Sequence, residues 1–258
     1  MIDLLKLTVL IVLSTLSVDS FAHPDLILQI ESLDVQIKSS PEDTELLIKR
    51  GDLYRRHESY PAAAKDFATA RKINPDNSLL DFYEGHLLFG SGDFEAAELH
   101  FKKYLTNHSE HAKAWGLRGE TAIRLKNPEA AAPYFENAIT HAQSPSPALY
   151  RSQILSLVSI GQTGWEDASQ VVDQGLQHFG LEVSLLGLGI DIALADNQPH
   201  KAMQYLDILP EPLLTLKQWQ QRQNTSSCLS SADTNVSARC LQQARTHLAS
   251  EVNTFMAD

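Results

Sequence analysis

Glycine recurs at Gly51, Gly85 and Gly119, alanine at Ala63, Ala97 and Ala131, and phenylalanine at Phe67, Phe101 and Phe135, every series stepping by 34 residues. Three residue types in one phase at one period require a unit copied in tandem, too small to bury its apolar face alone and completed by its neighbour. Turn-forming triplets fall inside each copy, at His57-Glu58-Ser59, Gly90-Ser91-Gly92 and Lys126-Asn127-Pro128, so each unit is two elements joined tightly. The small residues let those elements approach closely, and the phenylalanines are expected to fill the space between units.

The first copy, Thr44 to Asn77, places Gly51, Tyr54, Ala63, Phe67, Ala70 and Pro75 at offsets of 0, 3, 12, 16, 19 and 24. That spacing resembles the tetratricopeptide repeat (TPR). The resemblance implies an all-α fold, a right-handed α-solenoid over 41–209 of about five helix pairs, with a helical cap at each end. Repeats 44–77, 78–111 and 112–145 keep strict phase, and Trp115 takes the family's aromatic position where Leu47 stands in the first. Two degenerate pairs follow, 146–180 and 183–209, with Ala168 and Ala202 at the close-approach position and no glycine in its expected place. Residues 23–40 read as the N-terminal cap, because Leu26, Ile30, Leu33 and Ile37 share one helical face and Pro41 stands 34 residues before Pro75. Residues 210–258 read as a C-terminal cap. It comprises a short helix near Trp219, a polar loop at 223–235, and a last helix striped by Leu241, Ala244, Leu248, Val252 and Phe255.

In the family resembled here, the first helix of each pair lines a concave groove that holds a protein or peptide. Carried onto this sequence, the groove set is Ile48, Asp52 and Arg55, then Phe82, His86 and Phe89, then Lys113, Glu120 and Arg124. Aromatic residues beside cations would suit a peptide bearing apolar and acidic side chains, while Phe82 and Phe89 have the core as their alternative place. The family's clamp for chaperone tails uses Lys and Asn where Ile48 and Asp52 stand, so that activity is not implied. Arg50, Glu84 and Arg118, each one residue before a glycine, alternate in sign. They are expected either as a ladder of ion pairs from repeat to repeat or as aliphatic stems with solvated heads.

The apolar run Leu7–Val18 is too short to span a bilayer, and Ser20 and Ala22 suit a signal peptidase. Residues 1–22 are therefore expected to be a signal peptide cleaved after Ala22. The mature chain would then be periplasmic or secreted, with no membrane segment. An uncleaved anchor holding an assembly subunit is the competing expectation. Cys228 and Cys240 are expected to pair in an oxidising compartment, the alternatives being free thiols or a redox pair, which lacks the C-x-x-C spacing. A net charge of -11 with no basic run speaks against nucleic acid. No nucleophile elbow or phosphate-binding glycine loop is present, so neither an enzyme nor a cofactor is expected. His108-Ser-Glu-His111 reads as a solvated helix end. The amine and imidazole of a mature His23 form a candidate copper(II) chelate, and hence a metal-handling alternative, weakened because Pro24 offers no backbone N–H.

Overall fold

The computed structural model describes residues 24–257, so the expected signal peptide and His23 lie outside the described residues. Among those residues the chain is all-α. Three helices, α1 (Pro24–Ser39), α2 (Thr44–Arg56) and α3 (Tyr60–Ile73), belong to a compact unit that ends at Leu80. Helix α4 (Ser78–Ser91) crosses into a second unit that starts at Asp81. There α4 pairs with α5 (Phe94–Asn107), α6 (Ala112–Arg124) with α7 (Pro128–His141), and α8 (Pro147–Ser159) with α9 (Trp165–Phe179). The pair α10 (Val183–Ala195) and α11 (Pro199–Leu206) follows, then a short α12 (Glu211–Leu214), α13 (Lys217–Leu229) and the long α14 (Thr234–Ala257).

Local chemistry sets the helix ends. Asp43, Asp93 and Asn127 accept hydrogen bonds from the first free N–H groups of α2, α5 and α7, each such cap contributing about 1 kcal/mol. The turns inside the three strict pairs place Glu58, Gly92 and Lys126 at positive φ, the same phase each time. The second turn is centred on Gly92, because α4 runs on through Gly90 and Ser91. Gly92 adopts that conformation freely, whereas Glu58 and Lys126 give up about 1–2 kcal/mol each to Cβ crowding.

The glycine and phenylalanine series turn out to be one device. A Cβ built on Gly51 would lie 2.4 Å from the Phe67 ring, on Gly85 3.0 Å from Phe101, and on Gly119 2.8 Å from Phe135. Each ring therefore sits in the notch left by its own pair's glycine. Phe101 also reaches toward the next pair, sharing a core cluster with Ala114 and Leu117. The fifth pair keeps the device: Gly189 would meet Tyr205 at 3.1 Å, the same sixteen positions on. The strict phase, twelve before Ala202, falls on Ile190, and the glycine that serves here stands one residue earlier.

The ion-pair ladder is replaced by a different arrangement. Arg50 donates through Nε and Nη2 to Asp66 on α3 at 2.8 and 2.7 Å, and through Nη1 to Asp34 on α1 at 2.7 Å. Those carboxylates, Asp66 first, push the Arg50 pKa further up. Arg118 instead grips Glu98 on α5 and lays its guanidinium 4.1 Å from the Tyr134 ring centre. A side chain beside the glycine faces the helices packed on its own, so its partner is a neighbouring helix rather than the equivalent rung.

Residues 223–235 are not a loop. Helix α13 continues to Leu229, and Asp233 caps α14 by accepting from Asn235 and Val236 N–H. The polar residues form a wet helix face, while Ser226 is buried and donates to the Pro199 carbonyl at 3.0 Å. Cys228 and Cys240 are joined, which ties α13 to α14.

Candidate functional site

A first-helix position three before the glycine lies on the glycine's own face, one helical turn back. Ile48 and Phe82 occupy it, and both are buried, at 3% and 5% exposure. They are core residues, and their assignment to a groove wall is corrected. Phe82 packs among Phe101, Tyr104 and His111. The same cluster stacks His108 on Tyr104 at 4.3 Å, so His108 and His111 are not a solvated helix end. Burial, followed by the charges of His108 and Lys113, holds the His111 pKa below the usual histidine value.

Asp52 and Arg55 are half-buried in the first unit and paired with each other at 2.8 Å. In the second unit Lys113 is exposed, and His86 stands beside Phe82. Phe89, Glu120 and Arg124 are brought together. They line a recess of about 240 Å³ with Ile123, Arg151 and Phe255. Glu120 is open to solvent on one side yet crowded by surrounding atoms, and this partial removal from water raises its carboxyl pKa. Arg151 and Phe255 escaped sequence reasoning. Arg151 sits in a degenerate repeat with no motif phase, and Phe255 arrives from the far end of the chain.

Phe255 explains the recess. Helix α14 runs back along the second unit, touching the first helices α10, α8 and α6 in turn. Ala244 and Leu248 are buried against the core of the last pairs, and Phe255 and Met256 pack onto Ala122, Ile123 and Phe135. The C-terminal cap thus lies along the first-helix face of the second unit.

Its anchor is a buried charge node. Asp191 on α10, 3% exposed, accepts from Arg222 Nε on α13 at 2.8 Å and faces His247 Nε2 on α14 at 3.5 Å. Beside the node lies a cleft of about 530 Å³ lined by amide side chains such as Gln218, Gln221 and Gln243. Asp191 raises the His247 pKa, chiefly by accepting its hydrogen bond, against a smaller lowering by burial. The folded value lies above the ordinary one of about 6.5. The contribution is therefore complete below that pH and fades as pH rises through the folded pKa. His247→Gln is expected to lower the melting temperature at about pH 6 and to leave it unchanged at about pH 9, measured by circular dichroism.

A tetratricopeptide-repeat family model matches residues 82–147. No curated protein matches the chain in sequence. Among solved structures, the C-terminal part of a TPR repeat-containing protein from Cytophaga hutchinsonii aligns with a TM-score of 0.62 at 15% identity, over 86% of this chain and 90% of that one. YrrB, described as a TPR protein with an unusual peptide-binding site, aligns at 0.58 and 16% identity over 72% of this chain and 96% of its own. PilW, described as a widely conserved type IV pilus biogenesis factor, aligns at 0.55 and 20% identity over 76% and 90%. At these identities the likeness speaks for the fold alone, a stack of helix pairs. The matched segment and the fold are those of tetratricopeptide-repeat proteins. No helix among the described residues is long and apolar enough to cross a membrane.

Proposed function

We propose that the chain is a non-enzymatic scaffold that holds an amphipathic peptide segment of another protein against the first-helix face of α4, α6 and α8. One observation carries this reading: the last turn of α14 already lies there, with Phe255 and Met256 on Ile123 and Phe135. The face thus accepts apolar helical side chains. Arg124 and Arg151 line the same recess, and neither has a carboxylate partner among the described residues. An incoming segment with an aromatic residue and a nearby Asp or Glu would satisfy both. The peptide-binding site described for YrrB and the pilus biogenesis role of PilW support the class of function. Export to the periplasm is the accompanying proposal. It draws on the composition of residues 1–22 and on the Cys228–Cys240 bond, which an oxidising compartment maintains.

A photo-crosslinking residue at Glu120 is expected to trap a partner in cells, whereas one at Leu99, on the exposed side of α5, traps none. Arg124→Glu combined with Arg151→Glu is expected to abolish the Glu120 crosslink without lowering helicity. Equal trapping from both positions, or trapping that survives the charge reversal, would overturn the reading.

A further inference from the structure

The middle repeat departs from its neighbours at three positions that face one another. The family's apolar position, Leu47 in the first repeat and Trp115 in the third, is Asp81 in the second. The position before the glycine, arginine in the other two, is Glu84. Its partner sixteen residues on is Asp66 in the first repeat and Tyr134 in the third, but His100 in the second. The outer repeats use these positions for an ion pair, Arg50 on Asp66, and for a cation–aromatic stack, Arg118 on Tyr134 and Trp115. Only the middle set consists wholly of metal-binding side chains.

Their geometry converges. One ligand atom from each of Asp81, Glu84 and His100 lies within 4.8 Å of the other two. His100 Nδ1 stands 3.6 Å from an Asp81 oxygen and 3.5 Å from a Glu84 oxygen, within ion-pair distance of both. That nitrogen is buried and has no hydrogen-bond partner. Around a tetrahedral zinc with bonds near 2.0–2.1 Å, neighbouring ligand atoms are about 3.4 Å apart. The two histidine separations are close to such an edge, and the carboxylates lie within 4.8 Å of each other. Lys103 Nζ also reaches Asp81, at 3.0 Å, but its side chain is 67% exposed and can swing into water.

We propose that Asp81, Glu84 and His100 bind one divalent transition-metal ion of the zinc class, leaving a fourth position open to water or to a partner's ligand. A nitrogen and two carboxylate oxygens suit zinc. The proposal is independent of the peptide-binding reading.

The test is zinc titration of the full chain after chelator treatment, by calorimetry, compared with His100→Gln. Because other histidines also bind zinc weakly, the readout is the difference between proteins. Loss of even an outer partner costs 10–100-fold in metal affinity, so removing a ligand is expected to weaken one equivalent by about 100-fold or more. Asp81→Leu restores the first repeat's residue, guards against misfolding as the cause, and is expected to lose the same equivalent. Lys103→Ala is expected to bind zinc at least as tightly as the unmodified chain. Zinc binding that is absent from the unmodified chain, or undiminished in both His100→Gln and Asp81→Leu, overturns the proposal.

Discussion

Replacing Asp191 with alanine is expected to destabilise the second unit by about 3–5 kcal/mol, the usual cost of stranding one member of a buried ion pair. The carboxylate is 3% exposed and holds Arg222 through two nitrogens, with His247 alongside. Its loss leaves a guanidinium with 16% side-chain exposure and without its ion-pair partner. Replacing both partners by apolar residues, Asp191→Leu with Arg222→Met, is expected to recover most of the deficit, since the desolvation penalty disappears with the charges. Urea unfolding of the three proteins checks this. A single substitution costing less than about 1 kcal/mol would place the pair among ordinary surface ion pairs.

Removing residues 250–258 is expected to open the first-helix face and strengthen peptide binding there. Val252, Phe255 and Met256 are half-buried in the unmodified chain. Full burial of such side chains is worth roughly 1.5–3 kcal/mol each, so a half-buried trio holds the segment in place by about 3 kcal/mol. That competition corresponds to about 100-fold in apparent affinity. Fluorescence anisotropy with a labelled synthetic peptide copying 245–258 is the measurement. The truncated chain is expected to bind it about 100-fold more tightly than the full chain, and equal affinity would show that the segment does not occupy the site.

The scaffold could be read from the sequence because its main contacts are periodic. Gly51, Gly85 and Gly119 with their phenylalanines specify helix pairing in one phase, and the matched segment and structural neighbours are of that fold. What the sequence concealed was direction. Ile48 and Phe82 look like groove residues by position, but the helical turn that aims the glycine inward aims them inward too. The alternation of Arg50, Glu84 and Arg118 is real, but its cause is the partner sixteen residues on, which changes from aspartate to histidine to tyrosine. The stretch 223–235 reads as a loop because Ser, Thr and Asn prefer turns. The buried Ser226 and the bond between Cys228 and Cys240 hold its first half helical, while the Asp233 cap starts the next helix. The seating of Phe255 could not be read at all, since no local pattern links it to Ile123.

That last contact carries a consequence for how the molecule is made. The repeats close on themselves at separations of sixteen to twenty residues, as Arg50 does with Asp66 and Arg118 with Glu98. Contacts so local form early and fast. Phe255 must return to Ile123 across about half the chain, a closure that comes last and opens first. For a chain that emerges from its N-terminus, the receiving surface is finished while its own occupant is still being made. On the proposed peptide-binding reading, a partner present at that moment would meet no internal competitor, whereas one arriving later would wait for the end of α14 to fray. Two populations of the same protein, loaded and self-closed, would then differ only in when they met their partner.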